Sequence, residues 1–163
     1  MSLEKPADIH GKKIIIAGGT SGMGKILVER FPALGAKLVF FGRTADKGEA
    51  LANGSGAHFI QADVADKASI SRAMDEAVAH LGGLDILINT AGISPGAKAE
   101  DIKLDEWNEV MDINSTGTFL TNTLAFPHLK QRGGAILNFS SAGGIQGYPC
   151  LLYTSDAADD QAC

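Results

Sequence analysis

Cysteine is scarce in this chain. The 163 residues contain two, Cys150 and Cys163, both close to the C-terminal end. Neither a CxxC pair nor a Cys/His spacing suited to zinc occurs, which excludes a disulfide scaffold and a structural zinc site. Aromatic residues are also few, at 6%, with Trp107 the single tryptophan. No stretch comes near the ~18 uninterrupted apolar residues of a membrane-spanning helix. The opening segment, MSLEKPADIHGKK, has no apolar centre and does not read as a signal peptide. A cytoplasmic location is the expectation from both observations. Positive charge is in deficit: 14 Lys and Arg stand against 19 Asp and Glu, a formal net charge of −5. Such a balance argues against nucleic acid as the main partner.

What the chain has in excess is glycine, 20 residues of 163, well above the ~7% usual in soluble domains. There is no Gly-X-Y period, so these glycines belong to turns and close backbone contacts. Apolar residues at 45% and charged residues at 20% suit one folded domain with a real core.

Short β-branched runs alternate with helical patterns. Lys13–Ala17 (KIIIA) reads as a buried strand, and Met23, Ile26, Leu27, Phe31 and Leu34 then fall at helical spacing. Lys37–Phe41 and His58–Gln61 read as the second and third strands. Ile70, Ala73, Met74, Ala77, Val78 and Leu81 mark a helix over 66–82 with Asp66 as its N-cap. Leu84–Asn89 is the fourth strand. Leu104, Trp107, Val110 and Met111 mark a helix that runs into another over 114–132, and 135–140 is the fifth strand. Pro32 and Pro127 are expected to kink the helices that hold them. Strand alternating with helix implies a parallel sheet with helices on both faces and a ligand beyond the strands' carboxyl ends.

Gly18-Gly19-Thr20-Ser21-Gly22-Met23-Gly24 follows the first strand and leads into a helix. A loop there must turn sharply, bring backbone against a pyrophosphate, and aim helix N-terminal N–H groups at negative charge; side chains at Gly18, Gly22 and Gly24 would obstruct this. Gly19 and Gly24-Lys25 also mimic a P-loop. That motif then requires Ser or Thr for magnesium, however, and Ile26 follows instead.

The spacing Gly-x-x-x-Gly-x-Gly resembles that of the short-chain dehydrogenase/reductase family, and four further segments carry the same resemblance. Asp63-Val64 after the third strand is similar to the family's adenine-contacting pair. Asn89-Thr90-Ala91-Gly92 after the fourth resembles its Asn-Asn-Ala-Gly, with Thr90 a departure. Asn114, within Asp112–Phe119, is similar to its active-site Asn, and Ser140-Ser141-Ala142-Gly143 to the segment bearing its catalytic Ser, placed at Ser141. The resemblance covers residues 11–149. It implies a Rossmann-type doubly wound α/β/α sheet, incomplete on its C-terminal side because the family's chains are longer. It also implies a small carbonyl or alcohol substrate of the 3-oxoacyl-reductase kind or a related one. Cofactor contacts are implied for Gly18, Thr20, Ser21, Gly22, Met23, Gly24, Asp63, Val64, Asn89, Ala91 and Gly92. A homo-oligomer built through the helices after Asn114 is implied for the whole enzyme.

Charge decides which nicotinamide cofactor is expected. An NAD enzyme of this fold carries an acid at the end of the second strand, where Gly42 stands here. Arg43 follows it and Lys47 is near. A guanidinium binds a 2′-phosphate bidentately, so NADP is favoured, with NAD possible.

The resemblance assigns Ser141 to polarising the substrate carbonyl and Asn114 to a water that links a Lys to solvent. A Tyr transfers the proton. Its phenol, with an ordinary pKa of about 10, needs a Lys four residues on to act near neutrality. By register the Tyr is Tyr153, but Ala157 stands where that Lys belongs, and no Lys or Arg occurs after Arg132. Tyr148, before Pro149, reads as a loop aromatic. The chain as it stands is therefore expected to be inactive. The segment 150–163, CLLYTSDAADDQAC, contributes much of the acidic excess through Asp156, Asp159 and Asp160. It resembles the in-frame translation of a transposon-end sequencing adapter. Residues 1–149 are thus expected to be the natural cofactor domain and 150–163 a non-native tail, with Tyr153 a coincidental match. The alternative is a non-catalytic dinucleotide-binding or regulatory protein that lacks the Lys. His10, His58, His80 and His128 read as scattered structural or solvent-facing residues, and Trp107 as a core residue.

Overall fold

The computed structural model describes residues 8–94, 99–131 and 133–141. Five strands form one parallel sheet: β1 (Lys13–Ala17), β2 (Lys37–Gly42), β3 (His58–Gln61), β4 (Ile86–Asn89) and β5 (Ala135–Asn138). Their order is β3-β2-β1-β4-β5. The chain builds outward from β1 in one direction, then returns to its other side, which opens a crevice where β1 and β4 diverge at their carboxyl ends. Register sets those ends level, with Ala17 beside both Phe41 and Asn89.

Alternation along the strands divides the core into two layers. Ile15, Val39, Phe41 and Leu87 face α3 (Lys67–Leu81) and α5 (Thr118–Lys130), which bury Ile70, Met74, Ala125 and Leu129 against them. Ile14, Ile16, Phe40 and Ile88 face the opposite way, toward α1 (Gly22–Arg30) and α2 (Ala45–Ser55). The expected three-layer Rossmann-type architecture is present. Asp66 caps α3 as expected, its Oδ1 accepting from the backbone N–H of Ala68 at 2.8 Å and Ser69 at 3.2 Å. Asp66→Ala should lower stability by about 1 kcal/mol, read as a lower denaturant midpoint at unchanged slope.

Several local expectations are corrected. Pro32 does not sit inside α1. The helix ends at Arg30, and Pro32 opens a 3-10 turn, Pro32–Leu34, closed by Gly35 at φ 83°. Proline offers no N–H to the helix ladder, so it marks the stop rather than a kink. The inward face of α1 matches the apolar stripe only in part: Gly24 and Val28 are buried and Leu27 and Phe31 pack against the core, whereas Met23 and Ile26 are 53% and 49% exposed. At Gly24 the close approach of neighbouring backbone leaves no room for a side chain.

Helix α2 had no counterpart in the apolar periodicity. It seats Gly48 directly on the Phe59 ring, where any Cβ would collide. The second long helix begins later than expected. After α4 (Leu104–Val110) a π-helical segment spans Met111–Gly117, and only then does α5 begin. Pro127 lies within α5 as expected, while Trp107 is only partly buried. Strand β5 stops at Asn138 and is exposed along its length, as an edge strand with β4 its one partner among the described residues.

His58 and His80 are not unrelated, since their rings stack at 4.0 Å with planes 10° apart. Burial first, and the neighbouring His80 second, hold the His58 imidazole below its ordinary value. Among the described residues no group of His, Cys, Asp and Glu is arranged to hold a metal. None of their helices is long and apolar enough to cross a membrane.

Candidate dinucleotide-binding site

The glycine loop is fixed by its own backbone. The N–H groups of Gly18 and Gly19 both donate to the Phe41 carbonyl, at 3.1 and 2.9 Å, which ties the end of β1 to β2. Gly18 has φ 88°, and a Cβ there would lie 2.5 Å from the Ala91 nitrogen. A Cβ on Gly24 would meet the Gly18 carbonyl oxygen and come within 2.5 Å of Thr90 Oγ1. These glycines allow β1, α1 and the loop after β4 to meet backbone to backbone. Thr90 secures the junction with its hydroxyl near the carbonyls of Ala17 and Gly18, at 3.0 and 3.1 Å. The residue that departs from the family pattern thus has a structural task.

Beside this junction lies a cavity of about 210 Å³. Gly18, Thr20 and Ser21 form its floor. Gly42, Arg43, Thr44 and Lys47 form the wall at the end of β2. Asp63 and Val64 come from the end of β3, and Thr90 to Ile93 from the end of β4. Ser21 is the N-cap of α1, in extended conformation and with no side-chain capping bond, so the leading N–H groups of the helix stay available to an anion. At Gly22, φ 52°, an added Cβ would have no atom within 4 Å. The fit to a dinucleotide rests on these features: close backbone junctions at Gly18 and Gly24 that leave no room for a Cβ, a helix N-terminus, and two cations on one wall.

Gly42 carries more than the missing acid. A Cβ there would strike the Thr20 methyl, so no side chain is tolerated while Thr20 packs across the strand end. Asp63 is held by its own turn, its N–H donating to Ser69 Oγ at 3.1 Å and its Oδ1 accepting from Ala65 N at 3.0 Å. Val64 is buried against Gly117, whose Cβ would lie 2.8 Å from Val64 Cγ2.

Two asparagines have distinct tasks. Asn114, in the π-helical segment, grips the loop after β4: Oδ1 accepts from Ile93 N at 2.9 Å and Nδ2 donates to the Ile93 carbonyl at 2.8 Å. Its own carbonyl accepts from Thr118 Oγ1 at 2.8 Å. Asn89 does not line the cavity. Its side chain, 4% exposed, joins β4 to α5 and β5, with Nδ2 donating to Asn122 Oδ1 at 2.8 Å and Asn138 Oδ1 at 2.7 Å. Asn122 and Asn138 carry no sequence motif: Asn138 is disclosed by its pairing with Asn89 across neighbouring strands, and Asn122 by the packing of α5 on β4. Met23 is likewise outside the cavity, exposed on α1. Ser141 lies beyond the carboxyl end of β5, at the same end of the sheet as the loop. Tyr148, Tyr153 and Ala157 lie outside the described residues.

A parallel sheet in this order, with a glycine loop at its switch point, defines a Rossmann-type domain. Residues 12–155 match the family model of the short chain dehydrogenases, and the chain belongs to that family. It is 38% identical over 149 residues to a 3-alpha-(or 20-beta)-hydroxysteroid dehydrogenase of Mycobacterium tuberculosis, covering 89% of this chain and 57% of that one. It is 34% identical over 149 residues to an NADP-dependent (R)-specific alcohol dehydrogenase of Lentilactobacillus kefiri, covering 88% and 59%. A double variant of a Serratia marcescens short-chain dehydrogenase/reductase superposes with a TM-score of 0.82 at 29% identity, over 91% of this chain and 63% of the other. The chain thus spans less than two thirds of the length of these relatives.

Proposed function

We propose that this chain is the cofactor-binding part of an NADP-preferring oxidoreductase that interconverts a carbonyl and a secondary alcohol. The observation that carries the cofactor choice is the β2 wall of the cavity, where Arg43 and Lys47 stand and no acid accompanies Gly42. When bound, the nicotinamide would supply or accept the hydride. The N–H groups at the start of α1, with Thr20 and Ser21, would hold the pyrophosphate. Asp63 and Val64 would flank the adenine, and Ala91 and Gly92 would present backbone to the nicotinamide half. Ser141 would hydrogen-bond the substrate carbonyl.

Proton transfer is where the chain falls short. Four residues after Tyr153 the sequence has Ala157, not the Lys that the family's proton-transfer pattern places there. We read residues 1–149 as the natural domain and 150–163 as a non-native tail. Genomic DNA that continues as Tyr-x-x-x-Lys after codon 149 supports this, and DNA continuing as CLLYTSDAADD favours a non-catalytic dinucleotide-binding protein. The whole enzyme would be a cytoplasmic homo-oligomer.

Arg43→Asp tests the cofactor assignment. Loss of a charge-assisted pair to phosphate should weaken NADP binding roughly 10- to 100-fold while sparing NAD, so the preference inverts. Titration of both cofactors into the two proteins by calorimetry reads this. An unchanged NADP-to-NAD affinity ratio overturns the assignment.

A further inference from the structure

Arg43 already has a partner. Its Nη1 lies 3.8 Å from Glu109 Oε1, and both side chains are about half exposed, at 54% and 58%. Glu109 stands on α4, far from β2 in sequence. The fold therefore brings a carboxylate to the guanidinium that a 2′-phosphate would need. We infer that Glu109 is a specificity-determining residue that restrains the NADP preference of this site, by holding the Arg43 guanidinium in competition with the 2′-phosphate. The inference rests on the proposal that Arg43 receives that phosphate.

The geometry favours competition over preorganisation. At 3.8 Å the contact is an ion pair without the short, aligned bonds of a bidentate clamp. With both groups open to water it holds Arg43 loosely and contributes little to stability. A phosphate entering this wall carries up to two negative charges. It must either displace the carboxylate from the guanidinium or accept a like charge a few ångströms away. Lys47 offsets part of that repulsion from the same wall. A cofactor with a free ribose hydroxyl meets neither cost, because its 2′ position is neutral. Glu109 should therefore penalise NADP and leave NAD nearly untouched. An acid on α4 would then narrow a preference that the residues at the end of β2 alone would make wide.

Binding of adenosine 2′,5′-bisphosphate and of 5′-AMP tests this without any turnover, since the two differ only in the 2′-phosphate. Calorimetry at low salt would use the full chain and its E109Q, R43Q and double variants. In E109Q the bisphosphate should bind about two- to fivefold tighter, with 5′-AMP unchanged and the melting temperature unmoved. The gain should vanish when Arg43 is already Gln. No gain in E109Q, a loss of bisphosphate affinity, or an equal gain with and without Arg43 each overturns the role of Glu109. If R43Q binds the bisphosphate as well as the parent chain does, the underlying NADP proposal fails instead, whatever Glu109 does.

Discussion

Gly18→Ala is expected to abolish dinucleotide binding and to destabilise the domain by roughly 2–5 kcal/mol. Two separate effects add at this residue. At φ 88° an L side chain pushes its Cβ against the backbone, which costs about 1–2 kcal/mol. The new methyl would also lie 2.5 Å from the Ala91 nitrogen, 2.6 Å from its Cα and 2.9 Å from the Thr90 carbonyl carbon. These are main-chain atoms, so no rotamer change relieves them, and the β4 loop must move away from the β1 end. That movement would open the backbone junction which forms the floor of the cavity.

Gly22→Ala separates the two effects. Gly22 also has positive φ, at 52°, but nothing lies within 4 Å of the added Cβ. It should show the conformational penalty alone, about 1 kcal/mol. Denaturant unfolding of both variants, with 5′-AMP binding measured beside it, makes the comparison. Equal stabilities for the two would mean that the Gly18–Ala91 contact does not constrain the loop.

Asn89→Asp should be the more severe of the isosteric changes available to this chain, and its cost should depend on pH. The amide nitrogen at this position donates to two carbonyl oxygens, of Asn122 and Asn138, at 2.8 and 2.7 Å in a buried setting. An ionised carboxylate would face both oxygens with no proton to offer, a loss of roughly 3–5 kcal/mol. A protonated carboxyl can still donate to one of them, so folding raises the pKa of the new group above the unfolded value of about 3.9. The sign follows from that rise. The folded state then binds more protons than the unfolded state, and stability falls as pH climbs from the unfolded value toward the raised one. The variant should lie closest to the parent near pH 4 and furthest from it at neutrality, when unfolding midpoints of both are compared across that range. A pH-independent deficit would show that the network is not where the carboxylate does its damage. Affinity of the folded fraction for 5′-AMP should stay unchanged, because Asn89 braces the strands from outside the cavity.

The parts of the molecule that were legible in the sequence are those encoded locally. KIIIA is a buried strand because four adjacent β-branched or small residues can be covered on both faces, and Asp66 caps because its carboxylate reaches two N–H groups within three residues. The cavity-lining segments were legible for the same reason, since each follows its own strand directly. What was hidden depends on partners distant in sequence. Helix α2 carries no apolar stripe because its contact with Phe59 is made by a glycine. Large residues at helical spacing in and just after α1 pointed to a buried face, and Leu27 and Phe31 do pack against the core, but Met23, Ile26 and Leu34 turn to solvent while Gly24 and Val28 are the helix's buried residues. Asn138 gains its meaning only when β4 and β5 pair, Asn122 only when α5 packs on β4, and Glu109 only when α4 comes to rest beside the end of β2.

The π-helical segment Met111–Gly117 carries Asn114, which grips Ile93, and leads directly into the buried row Thr121, Ala125 and Leu129 of α5. A helix advances about 100° with each residue, and a wide turn takes up one residue more than an α-helical path of the same reach would. Loss of a single codon here would keep the ribosome's frame but break a mechanical one. Everything after the deletion would turn by more than a quarter of a circle, so that either Asn114 or the α5 row would face the wrong neighbour. In this stretch the number of residues is itself information, carried in angle rather than in side-chain chemistry.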